Sequence, residues 1–113
     1  MGSGLLIRQI SVQELAGKLA ANEPICLVDV RQPWEYEMAR LPNSLLAPLG
    51  ELIHRTNGIQ PPPGALVVVY CHHGIRSLQG AALLQHAGFK NVASLEGGID
   101  VWSLEIDPKI PRY

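Results

Sequence analysis

The sequence has no long apolar run, no cluster of basic residues and only two cysteines. No apolar stretch approaches the roughly 20 residues that a membrane-spanning helix requires, so no membrane segment is expected. A net charge of −1 without a basic run gives little support to nucleic-acid binding. The N-terminus lacks a cationic region followed by a long apolar one, which argues against a secretory signal. We therefore expect a cytoplasmic protein that binds neither membranes nor nucleic acid.

The two cysteines are not expected to form a disulfide. Cys26 lies early in one predicted buried strand, whereas Cys71 lies just past the end of another. In parallel strands that rise about 3.3 Å per residue, these positions are far apart. A disulfide needs Cα atoms within about 7 Å. Cys26 is therefore interpreted as a small core residue, and a chain of 113 residues can bury a core without a covalent staple.

Apolar patterning predicts strands that alternate with helices, which is typical of an α/β domain with a mostly parallel sheet. Ser11 and Glu14 form a capping-box pattern ahead of the first helix. Strands are predicted over residues 25–30, 45–47, 66–70 and 92–95. Helices are predicted over residues 12–21, 33–38, 49–54 and 99–102, with a further one that precedes Gly88, and the tail 107–113 is predicted to be irregular. One domain is expected over residues 6–113, with residues 1–5 as an extension that cloning could have added.

The segment 71–77, with the sequence Cys-His-His-Gly-Ile-Arg-Ser, contains the strongest functional signal. Cys71 follows an apolar strand and precedes a predicted helix, whose first amides are unpaired and carry partial positive charge. Such surroundings stabilise a thiolate. Gly74 permits tight backbone curvature, and Arg76 offers a planar cationic group to an anion. The segment therefore predicts a nucleophilic cysteine that acts on, or carries, a negatively charged group.

The spacing between Cys71 and Arg76 favours sulfur chemistry over phosphate chemistry. Cysteine-dependent phosphatases separate the two residues by five positions, so that the loop wraps a phosphate and the arginine grips it. Here four residues separate them. The shorter loop makes a tighter bowl, which suits a sulfur atom on the cysteine. Converging amides can hold the outer sulfur of a persulfide as an anion without a general base.

Four ordered motifs resemble those of the rhodanese-homology domain, a sulfurtransferase family. Residues 71–77 match its Cys-x-x-Gly-x-Arg-Ser loop, and residues 29–36 match its Asp-Val-Arg-x-x-x-Glu-Tyr/Phe segment. Residues 88–92 and 95–102 match its C-terminal pattern. Residues 39–44 depart from the family's Gly-His-Ile-Pro-Gly-Ala segment, because the first glycine and the histidine are missing. The resemblance spans roughly residues 6–113.

The resemblance implies a small, mostly parallel five-stranded sheet with helices on both faces. It also implies that Cys71 takes a sulfane sulfur from a donor such as thiosulfate, forms a persulfide, and passes the sulfur to cyanide or a thiol. No cofactor other than this covalent persulfide and no metal are implied. The tail 102–113 is similar to the ends of rhodanese domains fused to enzymes that adenylate ubiquitin-like sulfur carriers, so such a carrier or another thiol protein is a candidate partner. The implied substrate-binding residues are His72, His73, Gly74, Ile75, Arg76 and Ser77, supported by Asp29 and Arg31.

Several interpretations stay open at this point. Asp29 and Arg31 either shape the pocket or, as we prefer, Arg31 forms a surface pair with Glu35 while Asp29 accepts backbone hydrogen bonds. His72 and His73 either contact the thiolate or donor, or face solvent. A non-catalytic or regulatory protein-binding module is the alternative function, although the retained cysteine counts against it. A phosphatase is a third candidate, which the short loop argues against.

Overall fold

The computed structural model describes residues 6–113, and the predicted extension at residues 1–5 lies outside the described residues. Five parallel strands form one sheet in the order β1-β5-β4-β2-β3. The strands are β1 (Gln9–Ile10), β2 (Ile25–Asp29), β3 (Leu45–Leu46), β4 (Leu66–Tyr70) and β5 (Val92–Leu95). The helices are α1 (Val12–Ala20), α2 (Pro33–Met38), α3 (Arg76–His86) and α4 (Gly98–Glu105), with a 3₁₀ helix at Leu49–Gly58.

Apolar side chains cover the sheet on both faces, as the continuous apolar runs of β2 and β4 predict. On one face, Val68 packs in a core that includes Leu15 of α1 and Trp102 of α4. On the other face, Val69 packs in a core that includes Leu84 of α3 and residues of the 3₁₀ helix. Every residue of β4 is buried. The predicted α/β fold with helices on both faces is confirmed, and the sheet is parallel throughout.

The first helix begins where the sequence predicts. The Ser11 side chain accepts a hydrogen bond of 3.0 Å from the Glu14 amide and so satisfies one of the unpaired donors of the first turn. The Glu14 carboxylate does not complete the predicted capping box, because it pairs with Arg8 instead. Val12 and Leu15 are the buried residues of this helix. The N-terminal cap therefore orients α1 so that these residues reach the core.

Three elements differ from the sequence-based prediction by more than one residue. Strand β1 was not predicted, because two residues are too short to show a period of two. The 3₁₀ helix extends to Gly58, four residues beyond the predicted end at residue 54. Helix α4 begins at Gly98 and continues to Glu105, so it is longer than the predicted turn at 99–102.

The parallel arrangement places the ends of β2 and β4 side by side. Asp29 pairs in register with Tyr70, so Val30, Arg31 and Cys71 leave the sheet at the same edge. In open α/β sheets, ligands bind beyond the carboxyl ends of the strands. Within residues 6–113, no helix is both long and apolar enough to cross a membrane.

Candidate active site

The thiol of Cys71 lies at the N-terminal end of α3 and accepts hydrogen bonds from two backbone amides. The Gly74 amide nitrogen lies 3.1 Å from Sγ, and the Ser77 amide nitrogen lies 3.3 Å from it. The N-cap residue of α3, Ile75, makes no side-chain cap, and the Cys71 sulfur occupies the place of a capping group. Cys71 is only 1 % exposed. The sequence therefore builds a bowl of amide donors around a buried sulfur atom.

Helix α4 holds the loop from the other side. The amides of Ile99 and Asp100 donate to the carbonyl oxygens of Cys71 and His72, at 2.9 and 3.1 Å. This close approach is possible only because residue 98 is glycine: a Cβ built there would lie 2.4 Å from the His72 carbonyl oxygen. Gly98 also has a φ of +61°, which favours glycine. The glycine pair at 97–98 therefore has a structural function in the site.

A buried pair of hydroxyl groups adjoins the sulfur. The Ser77 Oγ lies 3.5 Å from Cys71 Sγ and 2.7 Å from the Ser94 Oγ on β5. Both serines are completely buried. Ser77 was predicted from the loop motif, but Ser94 was missed, since it belongs to no motif that was recognised. A polar residue in an otherwise apolar buried strand is the signal that would have found it.

Arg31 does not form the predicted surface pair with Glu35. Its side chain is completely buried and grips the Asp29 carboxylate, with Nε at 2.9 Å from Oδ1 and Nη2 at 2.7 Å from Oδ2. Nη2 also donates to the Ala39 carbonyl oxygen at 2.6 Å. The preferred interpretation of a surface pair between Arg31 and Glu35 was wrong. Arg31 pairs with Asp29 at the end of β2, and both side chains are buried. The expected backbone hydrogen bond to Asp29 does occur, from the Arg31 amide at 2.9 Å.

Glu35 pairs with Arg76 instead of Arg31. Arg76 Nη1 lies 2.8 Å from Oε1 and Nη2 lies 3.0 Å from Oε2, so the contact is bidentate. Burial alone would raise the pKa of Glu35, but hydrogen bonds from Arg76, the Gln32 amide and Tyr113 outweigh burial and lower the pKa to about 2. The Arg76 side chain, which the sequence assigns to substrate binding, is thus held by a carboxylate at the rim of the loop.

Replacing Glu35 by Gln should reduce the acid sensitivity of the fold. The folded-state pKa of about 2 lies below the ordinary value of 4.5. This carboxylate therefore stabilises the folded protein above about pH 4.5, and the contribution is lost as the pH falls toward about 2. Urea unfolding measured between about pH 5 and about pH 3 should show a smaller loss of stability for Glu35→Gln than for the native protein. Glu51→Gln, in an exposed ion pair with Arg55, is the control; equal pH dependence in all three proteins would contradict the prediction.

The tail folds back onto the loop through Tyr113. Its hydroxyl accepts from Arg31 Nη1 at 2.6 Å and donates to Glu35 Oε2 at 2.7 Å. Its ring stacks on His72 with 4.0 Å between centroids and 8° between planes. Burial is the main factor that raises the pKa of Tyr113 to about 12, so the phenol stays neutral. Tyr113 was not predicted as a site residue, because the tail carries no regular pattern.

The two loop histidines are stacked on each other rather than hydrogen-bonded to the sulfur. Their ring centroids are 3.9 Å apart. His72 Nε2 is buried without a hydrogen-bond partner, and burial, followed by the nearby His73, lowers the pKa of His72. His73 is exposed, with Nδ1 3.9 Å from Asp100 Oδ2. Within residues 6–113, no group of three or more His, Cys, Asp or Glu side chains is placed to hold a metal ion.

Two exposed apolar side chains lie in the loop or beside the tyrosine that stacks on it. Ile75 is 74 % exposed and Trp34 is 59 % exposed, with the Trp34 ring edge-on to Tyr113 at 5.9 Å between centroids. Trp102, by contrast, is buried in the core. Arg40 is exposed and lies over the Tyr36 ring at 4.6 Å. Two exposed apolar side chains therefore lie near the candidate nucleophile, and the loop arginine, Arg76, is held by a carboxylate.

A parallel α/β sheet with a cysteine loop that opens a helix defines a class of cysteine-dependent transfer proteins. Within that class, the chain belongs to the rhodanese-like domain family, whose profile matches residues 11–105. A sulfurtransferase of Allochromatium vinosum is 35 % identical over 98 residues, which cover 87 % of this chain and 90 % of that protein. A rhodanese-related protein of Thermoplasma volcanium has a similar structure, with a TM-score of 0.78 and 28 % identity over 94 % of this chain and 99 % of that one.

Other relatives are much longer proteins. The rhodanese-like/PpiC domain-containing protein 12 of Arabidopsis thaliana, a chloroplastic protein, is 37 % identical over 116 residues. The match covers 95 % of this chain but only 38 % of the Arabidopsis protein. The chain is thus a member of a sulfurtransferase family, and this family uses a cysteine persulfide.

Proposed function

We propose that residues 6–113 form one sulfurtransferase domain in which Cys71 is the nucleophile and the persulfide carrier. The observation that carries this proposal is the pair of amides, from Gly74 and Ser77, that converge on the buried Cys71 sulfur. Such donors stabilise negative charge on sulfur before and after transfer, without a cofactor. The amides belong to the backbone, so they are fixed in place before a donor arrives.

The reaction divides into two displacements on sulfur. The Cys71 thiolate attacks the outer sulfur of a donor such as thiosulfate, so that a new bond forms between the two sulfur atoms. The old sulfur–sulfur bond breaks, and sulfite leaves with its electron pair. The thiolate of an acceptor, or cyanide, then attacks the outer sulfur of the persulfide. The bond to Sγ breaks, the thiolate of Cys71 is regenerated, and the acceptor carries the sulfur as a persulfide or thiocyanate.

The contacts of Arg76 favour sulfur transfer over phosphoryl transfer. A phosphatase needs its loop arginine to grip the phosphate through both terminal nitrogens. Here both terminal nitrogens of Arg76 bind Glu35, whose carboxylate is almost completely buried. A phosphate gripped through both terminal nitrogens would compete with this carboxylate for Arg76, whereas a sulfur atom on Cys71 can be held by the amides alone.

A thiol protein, such as a ubiquitin-like sulfur carrier, is the proposed acceptor. The exposed Ile75 and Trp34 beside the loop suit a protein surface better than a small anion. Among the curated relatives, an adenylyltransferase and sulfurtransferase of Ogataea parapolymorpha is 33 % identical over 105 residues, although the match covers only 26 % of that protein. Its name joins sulfur transfer with adenylation, which is in keeping with a carrier acceptor.

Intact-mass measurement after incubation with thiosulfate tests the proposal. We expect the native protein to gain one sulfur atom, which cyanide or a thiol then removes. Cys71→Ser should gain none, whereas Cys26→Ser, which removes the other free cysteine, should gain one as the native protein does. The proposal fails if no sulfur is added from thiosulfate or from an organic persulfide, or if Cys71→Ser gains the sulfur as well. Turnover of an aryl phosphate by the native protein would favour the phosphatase instead.

A further inference from the structure

The proposed reaction gives no role to the buried hydroxyl group of Ser94, which lies near the sulfur. Ser94 pairs in register with Val69 of β4, so their side chains share the sheet face that α3 covers. Its Oγ lies 2.7 Å from the Ser77 Oγ, which in turn lies 3.5 Å from Cys71 Sγ. All three residues are at most 1 % exposed. The sulfur and the two hydroxyls therefore form a short chain from which water is excluded.

The direction of these hydrogen bonds depends on the charge of the sulfur. Each serine carries one hydroxyl proton. When a neutral Cys71 thiol donates to Ser77, Ser77 in turn donates to Ser94, which leaves the Ser94 proton without an acceptor among residues 6–113. An anionic sulfur can only accept, so Ser77 donates to the sulfur and Ser94 donates to Ser77. In this second arrangement every hydroxyl proton has an acceptor.

The second arrangement is favoured, since a buried donor without a partner is costly. Ser94 has no other hydrogen-bond partner within the described part of the chain. Its proton is satisfied only when the Ser77 proton points to the sulfur. Successive hydrogen bonds also polarise one another in a medium of low dielectric constant.

We propose that Ser94 is a positioning residue for sulfur transfer, which holds the Ser77 hydroxyl with its proton directed at the sulfur of Cys71. This inference rests on the proposed sulfurtransferase function. Ser94 does not itself contact the sulfur. Its effect passes through Ser77. Ser94 should therefore stabilise the Cys71 thiolate both when it attacks in the first displacement and when it leaves in the second.

The rate of Cys71 alkylation by iodoacetamide, measured against pH, tests this inference. Alkylation is followed on the peptide that contains Cys71, because Cys26 is a second free thiol. In Ser94→Ala, the pH of half-maximal rate should rise by about one unit, which corresponds to about a tenfold loss of thiolate at lower pH. Sulfur uptake from thiosulfate near neutral pH should slow by a similar factor. Arg76, whose charge also acts on Cys71, is unchanged in all variants.

Three further variants separate positioning from a general loss of packing. Ser94→Thr keeps the hydroxyl and should restore the native pH profile. Ser103→Ala removes a buried hydroxyl that has no hydrogen-bond partner and should leave the profile unchanged. Ser77→Ala should shift the profile upward, and adding Ser94→Ala to it should cause no further shift.

The inference is overturned if Ser94→Ala has the native alkylation profile, or if it shifts the profile as much in the Ser77→Ala background as alone. These outcomes are distinct from failure of the proposed function, since alkylation requires no sulfur transfer. If Ser94→Ala takes up sulfur at the native rate, the proposed function stands and the role of Ser94 is disproved. If the native protein takes up no sulfur, the proposed function is disproved, whatever the alkylation profile.

Discussion

Replacing Arg31 by Met is expected to lower the free energy of unfolding by about 3–5 kcal/mol, because a buried carboxylate then loses its cation. Asp29 and Arg31 are both completely buried and joined at 2.7 Å. Burial opposes the charge of Arg31, but the hydrogen bonds with Asp29 and Tyr113 outweigh it and raise the pKa of the guanidinium. The substitution also removes the donors to Ala39 and Tyr113. Such a loss is a large part of the 5–15 kcal/mol that usually stabilises a domain.

Urea unfolding of Arg31→Met and two further variants measures this effect. Arg40→Met is the matched control, because Arg40 is exposed and lies over the Tyr36 ring; it should cost less than about 1 kcal/mol. The double variant Asp29→Leu/Arg31→Met removes both charges and should recover part of the loss. If Arg31→Met costs no more than Arg40→Met, the buried pair does not stabilise the fold.

Replacing Gly98 by Ala should disrupt both the fold and the loop that carries Cys71. A non-glycine residue with a left-handed backbone costs about 1–2 kcal/mol, and Gly98 has a φ of +61°. The added Cβ would also meet the carbonyl oxygens of His72 and Cys71 at 2.4 and 2.5 Å, so α4 and the loop must move apart. Since small displacements of reacting groups can slow a reaction about a hundredfold, sulfur uptake should fall by roughly that factor.

Substitutions at two other glycines serve as controls that separate the effect of the steric clash from the effect of backbone strain. Gly64 has a φ of +79° with nothing within 4 Å of a built Cβ, so Gly64→Ala measures strain alone. Gly50 also has open space and no such φ, so Gly50→Ala should be close to neutral. Thermal unfolding and the initial rate of sulfur uptake should be measured on all three variants. If Gly98→Ala resembles Gly64→Ala in both measurements, the clash with the two carbonyl oxygens has no effect on stability or on sulfur uptake.

The elements that the sequence predicts well are those whose pattern is local. The continuous apolar runs predicted β2 and β4 to within one residue, and the Ser11 cap predicted the start of α1. The parallel sheet and its covered faces follow from such runs alternating with helices. The position of Cys71 between β4 and α3 follows for the same reason, since both neighbours have strong local signals.

The contacts that depend on distant residues were not predictable in this way. Glu35 is four residues from Arg31, which is the usual spacing of a helical ion pair, yet it binds Arg76 instead. Local spacing cannot show that Arg31 turns inward, because its burial depends on Asp29, Ala39 and a tyrosine far along the chain. Ser94 was missed for a similar reason, as only the register of β5 beside β4 brings it near Ser77.

The order of the strands has a consequence for the chain during its synthesis. Cys71 is followed by more than twenty residues before β5 supplies Ser94, and the amides of Ile99 and Asp100 that fasten the loop come later still. At the usual 5–20 residues per second, a ribosome needs a few seconds to make this segment. Until these residues have been made and have packed against the loop, Cys71 has neither Ser94 beside Ser77 nor the support of α4. The anchoring of the Cys71 loop is therefore completed only when the C-terminal part of the domain folds.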